Sequence, residues 1–212
     1  MAKILFVMSA ADHWTLNDGT RHPTGFWAEE FAVPYQALVE AGHTVEVATP
    51  GGVAPTVDKG SLNGQEAPVV PVPIRLEDVD FDAYTAIFYP GGHAPMEDLA
   101  HNSESAALIE RALTTGKPLA LVCHGVAALA PVDAKLLAGR RVTGFSNAEE
   151  QLAGLASKAP FLAEDRLVAL GADYSAGEPF HPHVVVDGTL ITGQNPPSSA
   201  AIAAELLKVV SA

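Results

Sequence analysis

One cysteine, Cys123, is all the thiol chemistry in this chain of 212 residues. A lone Cys excludes an internal disulfide and a cysteine-built zinc cluster. It fits a reducing compartment, where such a residue is either buried filler or a reactive centre. Basic residues are also scarce, with 12 Lys and Arg against 25 Asp and Glu and a formal net charge of -13. Without a basic run or a basic patch interleaved with aromatics, there is no face for nucleic acid. Long apolar runs are missing too, and nothing approaches the ~20 residues that a membrane helix needs. The opening "MAKILFVMSA" runs straight into polar "ADHWTLNDGT", so it reads as a first strand and not as a signal peptide. Together these absences point to a cytoplasmic protein with neither nucleic-acid nor membrane partners. No repeat, linker or low-complexity segment divides the chain, and its length is that of one domain, residues 1–212.

What is present is a compact globule by composition, 48% hydrophobic and 17% charged. Continuous apolar runs at "KILFVMS" (3–9), "YTAIFYPGG" (84–92) and "KPLALV" (117–122) predict strands buried on both faces. "HTVEVATP" (43–50) alternates like a strand, and the proline-punctuated "APVVPVPIRL" (67–76) suits a sheet edge. Helical spacing marks 26–42, with Pro34 expected to kink it or break it after the first turn. Further helices are predicted over 103–116 behind a serine cap, from Gly125, from about Ser146, over 159–172 and over 198–210. A strand is predicted over 141–146 and a hairpin over 183–193, turning at Asp187-Gly188. Strands alternating with helices imply a mostly parallel sheet wrapped on both faces, in which sites form at the carboxyl ends of the strands.

Three unusual segments fall there: Met8-Ser9-Ala10, Tyr89-Pro90-Gly91-Gly92-His93 and Val122-Cys123-His124-Gly125. In "LVCHGVAA" a strand ends at Cys123, His124 follows at once, and small residues allow a tight turn. That is the setting of a nucleophile elbow with Cys in the serine position, where a following helix N-terminus would favour the thiolate. In "YPGGHAPMEDL" (89–99) two glycines let the backbone approach a ligand and aim N–H groups at a developing oxyanion. His93 and Glu97 have helical spacing for metal ligation, but no third ligand is evident, so no metal is assigned. Adjacent acids open two helices, Glu29 and Glu30 in "TGFWAEEFAVP" and Glu149 and Glu150 in "VTGFSNAEEQL". In the second, Ser146 or Asn147 can cap and one acid can complete a capping box. Spacing leaves open which acid of each pair faces a pocket. The residues alone thus lead to a cysteine hydrolase or lyase.

Taken together, "TGFWAEE…P", "GH.VEVATPGG", "YPGGH..MEDL", "VCHG.AAL", "VTGFSNAEE", "PFLAEDRLVALGA.Y" and "HVVVDGTLITGQNPPSS" span nearly the whole chain. In that order they resemble the PfpI and parkinsonism-protein branch of the class I glutamine-amidotransferase-like superfamily. Within it they match glutathione-independent glyoxalases (glyoxalase III, D-lactate dehydratase), a group that includes heat-shock-type holding chaperones. The resemblance implies a flavodoxin-like three-layer α/β sandwich with a mostly parallel sheet, usually a homodimer. It places the nucleophile on Cys123, the histidine on His124, the acid orienting that histidine on Glu150 and the carboxyl touching the sulfur on Glu30. It places the oxyanion donors on the backbone N–H groups of Gly92 and His124. The implied reaction turns methylglyoxal, a 2-oxoaldehyde, into D-lactate with no cofactor, glutathione or metal. Val126 and Ala94 stand where many relatives carry proline and glycine; neither change removes a reacting group, and both reshape the mouth of the pocket.

The same residues admit other readings. One is a redox-responsive holding chaperone or deglycase-type stress protein, with Cys123 oxidised to a sulfinate beside protonated Glu30. Another is an amidase, peptidase or hydratase using the same elbow. Trp14, His22, Trp27 and His181 sit in loops or helix starts near strand ends and are candidates to line the pocket, without catalytic roles.

Overall fold

A computed structural model describes residues 1–211. The chain begins with β1 (Lys3–Val7), a small hairpin of β2 (His13–Thr15) and β3 (Arg21–Pro23), α1 (Ala28–Glu40) and β4 (Thr44–Thr49). It continues through β5 (Ile74–Arg75), β6 (Ala86–Tyr89), α2 (Ser103–Thr115) and β7 (Leu119–Val122). The last part holds α3 (Ala134–Leu137), β8 (Arg141–Val142), α4 (Asn147–Leu152), α5 (Ala163–Ala169), β9 (Asp173–Tyr174), the hairpin of β10 (Val184–Asp187) and β11 (Leu190–Gly193), and α6 (Ser199–Val210). Seven strands form one sheet in the order β10-β11-β7-β6-β1-β4-β5. Only β10 runs antiparallel within it. This is the flavodoxin-like α/β arrangement.

The continuous apolar runs are explained by period-two alternation into two cores. Leu5, Val7, Ile87, Tyr89, Leu119 and Leu121 face one side, against Ile109 and Ala112 of α2, Leu137 of α3 and Leu167 of α5. Their neighbours Ile4, Phe6, Phe88, Ala120 and Val122 face the other, against Phe31 and Leu38 of α1 and Ile202 and Leu206 of α6. Phe6 meets Phe31 edge-on at 6.0 Å and Phe88 at 4.7 Å between ring centroids, which fixes the first turns of α1 over β1 and β6. That contact orients Glu30, the residue before Phe31.

Several elements depart from the sequence pattern for identifiable reasons. Helix α1 runs unbroken through Pro34, because buried Phe31 and Leu38 on either side hold it to the sheet. The residues after Cys123 form 3-10 turns over Cys123–Leu129 in place of an α-helix. Of 67–76 only Ile74–Arg75 pairs, since its prolines lack donors for a longer ladder. Of 141–146 only Arg141–Val142 pairs, and it does so outside the main sheet, with β9. Helix α5 is shorter than the predicted 159–172, and α2 is capped by Asn102 and not by a serine. No helix among the described residues is long and apolar enough to cross a membrane.

The ends of β6 and β7 approach so closely that they require glycine. A Cβ on Gly125 would lie 2.4 Å from the Tyr89 carbonyl oxygen and 3.0 Å from that of Pro90. Gly125→Ala is therefore expected to destabilise the fold by about 2–3 kcal/mol and to slow alkylation of Cys123 by displacing its turn. The urea midpoint and the iodoacetamide rate measure the two effects; an unchanged midpoint would show that the loops yield freely.

Candidate active site

Cys123 follows the last residue of β7 and takes φ +56°, a left-handed conformation costly for a residue with a Cβ. Val122 before it is extended and 3-10 turns begin at once, so the chain reverses sharply and the sulfur stands at the carboxyl edge of the sheet. Backbone N–H groups of Gly92 and His124 are directed at that sulfur. Gly92 has φ +89°, and a Cβ there would strike the Gly25 carbonyl oxygen at 2.2 Å. The turn after β6 is thus wedged against the segment leading into α1, where the Trp27 N–H donates to the Gly91 carbonyl at 3.0 Å.

The structure resolves both acid pairs. Glu30 points inward and is fully buried; one oxygen accepts the Gly91 N–H at 2.7 Å. Its other oxygen, Oε1, finds no partner of ordinary hydrogen-bond geometry, and the Cys123 thiol is the side chain that neighbours the carboxyl. Burial without a cation pushes the Glu30 carboxyl up to about 8, so it is largely protonated at neutral pH. Glu29 sits at the rim of the cavity over Cys123. In the second pair Glu149 completes the capping box with Ser146, while Glu150 turns to the histidines.

His124 and Glu150, the pair named by the resemblance, are hydrogen-bonded to each other. The His124 Nε2–H donates to Glu150 Oε2 at 2.6 Å, which leaves Nδ1 as the acceptor, 3.4 Å from the Cys123 sulfur. Burial and the neighbouring His93 lower His124 to about 4, so the ring is neutral at pH 7 and free to take a proton. Burial alone would raise the Glu150 carboxyl, but His124 and His93 overcome this and hold it well below the usual carboxylate range. The thiol goes the other way from the expected activation: burial and the adjacent Glu30 raise Cys123 well above its usual value. With 3-10 turns in place of an α-helix after it, no helix N-terminus offsets that rise.

His93 was not assigned a role from the sequence, and it is central. Its Nε2 donates to Glu150 Oε1 at 2.8 Å, its ring lies 4.0 Å from that of His124, and buried Trp14 stacks on it at 5.3 Å. His22 meets it edge-on at 6.2 Å. Glu97, at helical spacing from His93, accepts from the Thr15 N–H and hydroxyl on the β2–β3 hairpin. The donor atoms that do converge are those of His93, His124 and Glu150, all within 4.8 Å, and hydrogen bonds between them satisfy the group. Above the sulfur lies a cavity of about 400 Å³ walled by Trp27, Phe145, Phe180, Pro196 and Pro197. His181 stays exposed outside it, bonded to the Pro179 carbonyl.

The sequence profile of the DJ-1/PfpI family matches residues 23–209. A Bos taurus glutamine amidotransferase-like class 1 domain-containing protein is 34% identical over 182 residues, covering 80% of this chain and 82% of its own. A glutathione-independent glyoxalase of Schizosaccharomyces pombe is 27% identical, covering 98% and 95%. Deglycase PfpI of Pyrococcus furiosus is 28% identical, covering 85% and 91%. Among solved structures, the Rapid Encystment Protein of Francisella tularensis superposes with a TM-score of 0.89 at 28% identity, covering 99% of each chain. Glyoxalase III of Candida albicans superposes at 0.84 with 23% identity, covering 98% and 97%, and so shares the fold.

The raised Glu30 carboxyl has a consequence for stability. Between pH 4.5 and about 8 the unfolded chain ionises this group while the folded chain keeps it protonated. Its contribution is therefore intact below 4.5 and is lost as pH rises through about 8. Denaturant midpoints across that window should fall less steeply in Glu30→Gln than in the wild type. Parallel curves would mean that Glu30 is ionised in the fold.

Proposed function

The chain belongs to the DJ-1/PfpI family, and from its site geometry we propose that it is a glutathione-independent glyoxalase converting methylglyoxal to D-lactate. The carrying observation is the linked set of Cys123, neutral His124 and ionised Glu150 beside protonated Glu30. Glyoxalase chemistry needs a thiol to mask the aldehyde as a hemithioacetal. Here the chain supplies one of its own, which is what independence from glutathione requires. The glyoxalase and deglycase names of the relatives support a reaction at a carbonyl carbon.

In the proposed reaction the Cys123 sulfur bonds to the aldehyde carbon as its proton passes to His124 Nδ1. The ionised Glu150 holds the imidazolium so formed, as the acid of a catalytic triad does. The proton passes on to the former aldehyde oxygen, which lies against the N–H groups of Gly92 and His124. His124, neutral again, removes the hydrogen from the same carbon. An enediol forms across the two carbons, and the proton goes to the former ketone carbon. The aldehyde carbon is thereby oxidised to a thioester and the ketone carbon reduced to an alcohol, with no outside oxidant. Water cleaves the thioester, releasing lactate and the thiol. Protonated Glu30 donates to the sulfur as charge develops there, whereas an ionised carboxylate would repel it.

The test is production of D-lactate from methylglyoxal without glutathione. Cys123→Ala should abolish it, and Glu150→Gln should lower kcat by roughly 10²–10⁴-fold. Full lactate production by Cys123→Ala would refute the assignment.

A further inference from the structure

Only three non-glycine residues among those described have a positive φ: Asn63 at +47°, Cys123 at +56° and Phe180 at +56°. All three line the cavity above the sulfur. Strain of this kind persists where the surroundings impose it, and it gathers at functional sites. Cys123 needs it to lift the thiol, but Phe180 has no part in moving protons. Its backbone is held by a separate device, in which the Phe180 N–H donates to Glu149 Oε1 at 2.8 Å. Glu149 is buried and also accepts from the Ser146 N–H and hydroxyl, the Gln194 amide and the Asn195 amide. A five-donor carboxylate thus fixes an aromatic ring over the pocket, 6.2 Å from Phe145, which lies against His124 at 4.3 Å.

Trp27, Pro196 and Pro197 add further apolar surface to the lining. No Lys or Arg is among the residues lining the cavity, and Glu29 stands at its rim, so an anionic substrate meets repulsion and no counter-ion. A methyl group fills only a small part of about 400 Å³. We propose that this site selects 2-oxoaldehydes carrying an uncharged aromatic or branched aliphatic group, with Phe180 as the residue that sets the preference. The inference rests on the 2-oxoaldehyde reading for its reaction and on the cavity walls for its selectivity.

The test compares phenylglyoxal, giving mandelate, with methylglyoxal, giving lactate, in the wild type and Phe180→Gly. Glycine takes φ +56° without strain, so the variant removes the ring while relieving the backbone. The wild type should favour phenylglyoxal by at least about tenfold in kcat/KM, and Phe180→Gly should bring the ratio back toward one. A wild-type ratio at or below one, or a ratio unchanged in the variant, overturns the proposal. A second measurement separates this inference from the glyoxalase reading. Rates of Cys123 alkylation by N-phenyliodoacetamide, iodoacetamide and iodoacetate are each taken relative to free cysteine. The expected order is phenyl amide fastest and carboxylate slowest. If neither oxoaldehyde is turned over but that order holds, the glyoxalase reading falls and the apolar preference stands; a flat or reversed order overturns the preference.

Discussion

Backbone packed directly on backbone is the constraint on which the rest of this site depends. Three segments, Gly25–Trp27, Gly91–Gly92 and Cys123–Gly125, meet where β6 and β7 end, and side chains between them would force them apart. A Cβ on Gly91 would lie 2.7 Å from Glu30 Oε2 and 2.8 Å from the His124 nitrogen. The same approach that forbids a Cβ brings the Gly91 N–H to Glu30 and the Gly92 N–H to the sulfur. Glycine serves here by absence of volume as much as by conformational freedom. The acid, the thiol and the N–H donors are therefore positioned by one contact, to which α1, β6 and β7 each contribute.

Two buried carboxyls, one beside the thiol and one linked to it through His124, are pushed in opposite directions by their surroundings. Glu30 has a single N–H donor and no cation, so burial decides and it keeps its proton. Glu150 is shared between two imidazoles, so it stays charged. Pairs of acids whose environments divide them in this way are a mark of proton-transfer sites. Glu149, adjacent in sequence to Glu150, does something else again: it satisfies two donors of Ser146 at its own helix start and three more, from Phe180, Gln194 and Asn195, that fasten the 180s and 190s to α4. Three acids of one type thus stand as protonated carboxyl, imidazole anchor and structural rivet, separated only by what surrounds each.

Much of this was legible in the sequence, and what was not follows a pattern. The buried strands were readable because both faces of the sheet are covered, leaving runs such as Ile4–Val7 continuously apolar. The capping box at Ser146 and Glu149 was readable because it is local. The proposed catalytic set of Cys123, His124, Glu30 and Glu150 came from family resemblance, because spacing could not choose within either acid pair. His93 escaped because its partners, Trp14 and Glu150, lie far from it along the chain. Phe180 escaped more completely: its left-handed backbone is imposed by Glu149, 31 residues away, and a phenylalanine carries no local signal for that conformation.

The one physical expectation that reversed concerns the thiol itself. A cysteine at a helix N-terminus would rest as a thiolate, ready for any electrophile. Here 3-10 turns replace the helix, Cys123 is 3% exposed, and a protonated carboxyl lies beside its sulfur. The resting site therefore holds its proton, and a base, His124, stands 3.4 Å away to take it. Reactivity in such a site is conditional. In the proposed reaction, charge appears on the sulfur only as a bond to carbon begins to form, when the N–H donors and Glu30 can stabilise it at once. A buried, protonated thiol and a competent nucleophile are compatible because the proton has somewhere to go within the site.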